Sequence, residues 1–122
     1  MVSKKLLAAI LDSLQDPILM ADTRHLVRYL NKAAVQFYEG GENLIGTSLL
    51  ECHNERSQQM MVRILAEMHE GLTEELITDD EEHQIYMRVV RGPDGEVLGY
   101  YERYAPPKAG TALWDTNDDC SV

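Results

Sequence analysis

The segment HQIYMRVVRGPDGEVLGYYERY, residues 83–104, contains two predicted strands around a tight turn. In its first half Ile85, Met87 and Val89 alternate with polar residues, a period typical of a β-strand with one buried face. The central GPDG, residues 92–95, suits a tight turn because glycine and aspartate tolerate the backbone angles that such turns require. Residues 96–104 form the returning strand. The segment therefore predicts an antiparallel hairpin, and the rest of the fold is predicted outward from it.

A second hairpin is predicted near the N-terminus, where the apolar runs 18–21 and 26–30 flank the polar turn 22–24. Between the hairpins, helices are predicted at 32–38 and 55–70, and Asn31 and Asn54 are their expected N-caps. One or two helical turns are expected at 43–51, and a short acidic strand at 74–78. Strands grouped apart from helices predict an α+β fold, a five-stranded antiparallel sheet with helices on one face.

An amphipathic helix is predicted before the first hairpin, over residues 3–15. Its apolar residues fall at helical spacing and form one stripe: Leu6, Leu7, Ile10, Leu11 and Leu14. A helix of this length is marginal in isolation, so the stripe must pack against the sheet or against another chain. The predicted organisation is an N-terminal helix in residues 1–16, a main domain in residues 17–105 and a flexible acidic tail in residues 106–122.

Composition argues against several classes of function. The net charge of −10 disfavours a nucleic-acid partner, whose phosphates the surface would repel. The longest apolar run, residues 6–11, is too short to cross a membrane, and the absence of a cationic start followed by a long apolar core leads us to expect a cytoplasmic protein. Cys52 and Cys120 lie far apart, and no structural disulfide is expected between them in a reducing compartment.

Three stretches together resemble a PAS domain, in an order and spacing that cover about residues 12–105. They are PILMADTRHLVRYLNKAA (17–34), NLIGTSLL (43–50) and GPDGEVLGYYERY (92–104). The first is similar to the opening hairpin of the family, the second to its Ile-Gly turn before the long helix, and the third to its closing hairpin. The resemblance implies a sensory or regulatory module, in which an N-terminal helix often packs on the outer sheet face and pairs two domains.

A narrower resemblance concerns residues 44–57, LIGTSLLECHNERS. They are similar to a PAS subtype that is often found beside hemerythrin-like domains and carries a Cys-His pair before its long helix. That subtype commonly has prolines next, where this chain has Asn54 and Glu55. Light-sensing PAS domains that form a flavin adduct would place their reactive cysteine at Leu49, so flavin photochemistry is excluded.

Three interpretations of Cys52 and His53 stay open. Thiolate and imidazole can bind transition metals, so His53 is a candidate haem ligand, although haem-binding PAS domains usually place this histidine within the long helix. His53 is also a candidate contact for a small polar or acidic ligand. The third interpretation is structural, with His53 bonding free backbone groups at the helix start and Cys52 packing as a small apolar residue.

A ligand cavity in the core is the expected sensing site. In addition to Cys52 and His53, its candidate lining residues are Leu44, Met61, Leu65 and Met87. Methionine suits a cavity that adapts to its contents. Of the other histidines, His25 is expected to be exposed beside a turn, and His69 and His83 are expected near the surface. Tyr100, Tyr101 and Tyr104 are expected at an interface, because tyrosine suits half-buried surfaces.

The sequence therefore predicts a non-enzymatic PAS-type module that binds a small ligand, contacts partners, or does both. The alternatives are a ligand-free interaction module and a haem-based redox or gas sensor; otherwise no cofactor is expected. An enzyme is disfavoured because no nucleophile–base pair, phosphate-binding loop or metal cluster is visible. A homodimer is expected, and the candidate interface residues are Leu7, Ile10, Leu11 and Leu14.

Overall fold

A computed structural model describes residues 3–82 and 84–105 of the chain. Its helices are α1 (Lys4–Asp12), α2 (Lys32–Phe37) and α3 (Glu55–His69), with short 3-10 helices at Gly41–Leu44 and Leu49–Cys52. Its strands are β1 (Leu19–Asp22), β2 (Val27–Leu30), β3 (Glu74–Asp79), β4 (Gln84–Arg91) and β5 (Val97–Ala105). The predicted tail, residues 106–122, and His83 lie outside the described residues.

The strands form one antiparallel sheet in the order β2-β1-β5-β4-β3. The N-terminal hairpin β1–β2 joins the C-terminal strands through the pairing of β1 with β5. Because β5 lies at the centre, its residues have a neighbouring strand on each side. The predicted α+β fold with a five-stranded antiparallel sheet is confirmed.

Asparagine caps fix the starts of two helices, as the sequence predicts. The side-chain oxygen of Asn31 accepts a hydrogen bond from the Ala34 amide at 2.9 Å, and that of Asn54 accepts one from Ser57 at 2.8 Å. Such caps satisfy amides that have no partner within the helix. The α1 helix ends earlier than predicted, at Asp12, because the Ser13 hydroxyl bonds the Ile10 carbonyl at 2.6 Å and the helix stops there.

The core lies between α3 and the inner face of the sheet. One stripe of α3, Met61, Ile64, Leu65 and Met68, is buried there. It belongs to the same buried cluster as Leu19 and Ala21 of β1, Met87 of β4 and Tyr100 of β5. Full burial of an aliphatic side chain of this size stabilises a fold by about 1.5–3 kcal/mol, so this stripe is what holds α3 on the sheet.

The α1 helix packs less completely. No residue of α1, all of which the structure describes, is buried. Leu6, Leu7 and Ile10 are each 51% exposed, while Leu11 is half-buried. Leu11 and Leu14 line a groove together with residues of the opposite, outer face of the sheet, among them Met20, Tyr29 and Tyr101. The α1 helix therefore leaves most of its apolar stripe uncovered.

Two predictions about single residues are wrong. His25 was expected to be exposed, but it is buried, with an exposure of 7%. Its positive φ of 65° turns the ring inward, where its Nδ1 lies 2.8 Å from the Tyr100 hydroxyl. Tyr100 itself is fully buried under α3 and so cannot belong to an interface. His69 is exposed, as predicted. No helix among the described residues is long and apolar enough to cross a membrane.

Candidate functional site

The central strand β5 carries a carboxyl group on the inner face of the sheet. Glu102 lies opposite Leu19 of β1 and Met87 of β4, and both neighbours are buried core residues. Residues directly opposite each other in a sheet share a face. The Glu102 side chain is therefore directed toward the apolar side of the molecule and is itself mostly buried. A carboxylate in such a place is costly unless polar partners compensate for the lost water.

Two tyrosines form a hydrogen-bonded chain to this carboxyl. The Tyr38 hydroxyl lies 3.1 Å from Oε1 of Glu102, and the Tyr38 and Tyr104 hydroxyls are 2.7 Å apart. When Glu102 is ionised it only accepts, so Tyr38 then donates its single proton to Glu102 and Tyr104 donates to Tyr38. Both hydroxyl hydrogens then point toward Glu102, which favours its charged form.

Burial changes the proton affinities of this group of residues. Burial raises the pKa of the Glu102 carboxyl above its usual range, while the hydrogen bond from Tyr38 and the nearby His53 oppose the change. Burial also raises the pKa of the Tyr38 hydroxyl, and the charge of Glu102 adds to that effect. Burial likewise raises the pKa of the Tyr104 hydroxyl. Both tyrosines are therefore neutral donors at physiological pH.

An exposed aromatic ring borders these residues. Phe37, at the end of α2, is 57% exposed. Its ring packs edge-on against Tyr38, with centroids 5.0 Å apart, and against Tyr104, with centroids 5.5 Å apart. We call Phe37, Tyr38, Glu102 and Tyr104 the Glu102 cluster. The Glu102 cluster thus spans the border between the core and the solvent.

The outer face of the sheet carries a separate polar network. Arg103 bonds Glu74 at 2.8 Å and lies over the Tyr86 ring at 4.3 Å from its centroid, while Arg88 reaches Glu74 at 3.5 Å. The hydrogen bond from Arg103 is the main reason that the Glu74 pKa is lowered. These charges are already paired with each other, in contrast to the carboxyl on the inner face.

Comparison with known families identifies the fold. A model described as the PAS fold matches residues 11–107, most of the chain. The chain belongs to the PAS fold family. The resemblance predicted from the three sequence stretches is thereby confirmed at the level of the family. No curated protein sequence matches this PAS domain.

Solved structures share the fold at low sequence identity. A C-terminal domain from Streptococcus mutans has a TM-score of 0.73 and 16% identity, covering 92% of this chain and 90% of that one. The PAS domain of Bordetella pertussis BvgS has a TM-score of 0.66 and 12% identity, covering 92% of this chain and 91% of that one. The Vibrio cholerae Aer2 receptor, called a dual PAS-heme oxygen sensor, has a TM-score of 0.53 and 18% identity, covering 74% and 92%.

Three of the four predicted lining residues lie together in the core of the PAS domain. Met61, Leu65 and Met87 are 3%, 6% and 0% exposed and belong to one apolar cluster. Leu44 is partly buried and packs against that cluster. Their assignment to a ligand cavity stays a prediction. Met87 also faces Glu102 across the β4–β5 pair, so the predicted lining and the Glu102 cluster are neighbours.

His53 lies at the start of α3 with its side chain exposed. Its amide bonds the Leu50 carbonyl at 3.2 Å, and its own carbonyl accepts a bond from the Gln58 side chain at 2.8 Å. These backbone bonds fit the structural interpretation of the corner. For Cys52 the structure describes only the backbone, at the end of the second 3-10 helix. The role of either residue as a ligand contact stays a prediction.

Sequence reasoning missed Tyr38 and Glu102, and it named Tyr104 only as a candidate interface residue. The sequence does indicate that Glu102 and Tyr104 are neighbours, because alternation along residues 96–104 places Tyr100, Glu102 and Tyr104 on one face of the strand. What could not be read was which face points inward, since each face of this strand carries both polar and aromatic residues. Tyr38 gave no signal at all, since only the fold brings α2 next to β5.

Proposed function

We propose that this PAS domain is a sensory module that binds a small ligand on the inner face of its sheet, beside Glu102. The observation that supports this most directly is a mostly buried carboxyl that faces apolar residues on both neighbouring strands. Clefts that combine apolar walls with a few polar groups of shifted pKa are typical binding sites. We propose that the apolar wall of the site consists of Leu44, Met61, Leu65 and Met87, which belong to the apolar core cluster or pack against it. We assign the domain no catalytic step.

The Cys-His corner adds a second element to this proposal. The charge of His53 lowers the pKa of Glu102, which supports a position of His53 near the Glu102 cluster. We propose that Cys52 and His53 border the ligand site, as the narrower PAS subtype would imply. Occupancy would then be transmitted to the start of α3, where the backbone of His53 meets Gln58.

Native mass spectrometry of the freshly purified protein, compared with its denatured mass, tests the proposal. We expect a non-covalent mass in addition to the chain, lost on denaturation. The Glu102→Gln variant keeps the size of the side chain but removes its charge, and it should lose this mass. Glu39→Gln, an exposed neighbour of Tyr38 with the same change in charge, is the matched control. A bare chain in the wild type would contradict ligand sensing.

A ligand-free interaction module is the second candidate, and the uncovered stripe of α1 favours it. We propose that Leu7, Ile10, Leu11 and Leu14 contribute to a homodimer, whether or not a ligand is bound. Leu7 and Ile10 are each 51% exposed, and solvent-facing apolar side chains in one row are typical of a protein contact. A dimer of bare chains would support this candidate over the first.

The haem-sensor alternative is tested by absorption. Of the solved structures above, the Aer2 receptor is the one that is called a haem sensor. If His53 bound haem iron, the purified protein would show a Soret band, and His53→Ala would lose or shift it. A spectrum without that band, or one unchanged by His53→Ala, would exclude His53 as a haem ligand.

A further inference from the structure

The carboxyl group of Glu102 forms no ion pair with another residue in the part of the chain that the structure describes. Among residues 3–82 and 84–105, no lysine, arginine or histidine forms an ion pair with Glu102, although Asp22, Glu67, Glu74 and Glu75 all have such pairs. His53 contributes favourable charge but makes no hydrogen bond to the carboxyl. A mostly buried carboxyl of this kind avoids an unpaired charge either by keeping its proton, as its raised pKa indicates, or by pairing with a cation, so a cation supplied from outside would stabilise the ionised form.

The hydrogen bond from the Tyr38 hydroxyl favours the ionised form of Glu102, in opposition to burial. Oε1 accepts the hydrogen bond that Tyr38 donates. Within the described part of the chain, Oε2 accepts no hydrogen bond. An anionic ligand would be repelled by this oxygen, and a neutral acceptor would leave it unpaired. A donor with positive charge satisfies both the lone pairs and the charge.

The surroundings favour an organic cation over a metal ion. Calcium takes six to eight oxygen ligands and magnesium takes six, whereas this site offers one carboxylate and neutral hydroxyls. No group of three acidic, histidine or cysteine residues suited to a metal occurs among the described residues. The aromatic rings of Phe37, Tyr38 and Tyr104 stand beside the carboxylate, and such rings attract ammonium groups.

We propose that the Glu102 cluster binds a small organic cation that carries an ammonium group. The carboxylate of Glu102 pairs with the positive charge, the aromatic rings of Phe37, Tyr38 and Tyr104 contact the carbon atoms around it, and Met87 borders the apolar end of the ligand. This inference rests on the proposed function, since it names the class of ligand for the same site. The net charge of −10 would further concentrate cations at the surface of the protein.

Isothermal titration calorimetry on the full chain at neutral pH tests this inference, with putrescine, ethanolamine and methylamine as the probes. Sodium acetate and potassium chloride serve as controls for anions and for ionic strength. We expect at least one ammonium probe to bind saturably with one site per chain, and neither control salt to do so. In Glu102→Gln the affinity should fall by about 30-fold or more, because the paired charge is removed.

Two further variants separate a specific site from a general attraction to an acidic protein. Glu39→Gln makes the same change in net charge at an exposed position and should bind as the wild type does. Phe37→Leu removes an exposed ring and should weaken binding without unfolding the domain, which circular dichroism checks. Equal losses in Glu39→Gln and Glu102→Gln would overturn the inference, because binding would then follow net charge alone.

The failure of this inference can be distinguished from the failure of the proposed function. If native mass spectrometry finds a bound mass but no ammonium probe binds or displaces it, the class of ligand is wrong and the ligand site stands. If the chain is bare and no probe binds, both are overturned. If a probe binds with unchanged affinity in Glu102→Gln, the site is elsewhere on the domain and the Glu102 cluster is not its location.

Discussion

Asn31 joins three elements through one buried side chain. Its Oδ1 accepts from the amides of Ile18 and Ala34, each at 2.9 Å, and its Nδ2 donates to the carbonyls of Leu11 and Asp16 at 2.9 and 3.1 Å. The residue is fully buried. All four hydrogen-bonding positions of the amide are thereby used, which ties the end of α1 and the start of β1 to the N-terminus of α2.

Replacement of Asn31 by alanine should reduce the free energy of unfolding by about 3 kcal/mol, because a cap is lost and buried backbone groups are left unpaired. Urea denaturation followed by circular dichroism measures this. Asn54→Ala is the matched control, since Asn54 caps α3 through a single exposed bond and should cost only about 1 kcal/mol. Equal costs at the two positions would contradict the role of Asn31 as a joint between elements.

His25 is a buried histidine that bonds a buried tyrosine. Burial lowers the pKa of its imidazole below the usual 6.5, and the nearby charge of Asp22 opposes this only in part. The ring also contacts the Tyr100 hydroxyl at 2.8 Å. Between the lowered folded-state pKa and 6.5, the unfolded chain binds more protons than the native one. The stabilisation from neutral His25 is therefore present above pH 6.5 and is lost as pH falls through that window.

We expect the His25 imidazole signal in a proton NMR titration to have a midpoint below 6.5. His25→Asn assigns the signal by removing it, and asparagine accepts the positive φ of this position better than most residues. The variant should also lose less stability than the wild type between pH 7 and pH 5, by the linkage just described. A midpoint at or above the usual value would show that the ring is hydrated in solution.

At the scale of elements, β5 and β1 approach unusually closely at Gly99. This residue has a φ of +153°, and a side chain there would collide with the backbone carbonyl of Ala21 and lie 2.9 Å from the Asp22 Cα. The β5 strand is the centre of the sheet and the only link between the two hairpins within the described residues. Glycine at this position therefore permits the two halves of the sheet to join.

Gly99→Ala should destabilise the domain by about 3 kcal/mol or more, because the backbone on the neighbouring strand must move. Gly95→Ala provides the control: its φ is +85° but nothing lies within 4 Å of an added Cβ, so only the conformational cost of about 1 kcal/mol applies. Thermal unfolding of both variants measures the difference. A Gly99→Ala protein as stable as Gly95→Ala would show that the strands can separate there without cost.

The α1 helix is the element whose apolar surface exceeds what its own sheet covers. If Leu7 and Ile10 pair two chains, Ile10→Asp should weaken dimerisation by about 100-fold, since a charge would be buried in an apolar contact. Val62→Asp makes the same change on α3 at a similar exposure, 49% against 51%, and should leave the dimer intact. Analytical ultracentrifugation measures the dimerisation of the wild type and of both variants. A wild type that stays monomeric at high concentration would exclude the proposed interface.

At the scale of the whole molecule, one inner-face carboxyl should influence how stability depends on pH. Burial raises the pKa of Glu102 above 4.5, so between 4.5 and the folded-state pKa the native protein binds more protons than the unfolded chain. The stability contribution of neutral Glu102 is then fully present below pH 4.5 and is lost as pH rises through the folded-state pKa.

Without ligand, Glu102→Gln should be more stable than the wild type at about pH 7.5, and the two should converge as the pH falls toward 4.5. Urea denaturation across this range measures the difference, in which the contribution of His25 cancels because both proteins contain it. Glu39→Gln should stay within about 0.5 kcal/mol of the wild type throughout. A Glu102→Gln protein less stable than the wild type at neutral pH would show that the carboxylate has a resident partner.

The sequence by itself determined the parts of this PAS domain that depend on local rules. Strand alternation, the GPDG turn, the asparagine caps and the helical stripe of Met61 to Met68 act over a few residues, and the structure has each of them. The candidate lining residues Met61, Leu65 and Met87 were predictable as core for the same reason, because an apolar face must be buried.

The tertiary structure decided which polar residues meet. Tyr38 and Glu102 are separated by 64 residues, and His25 and Tyr100 by 75, so no local pattern relates the partners. The inward direction of His25 depends on a positive φ in a turn, and that of Glu102 depends on the register of β5 between β1 and β4. Hydrogen bonds and desolvation act only at contact distance, so these two sites exist only once distant segments have been brought together.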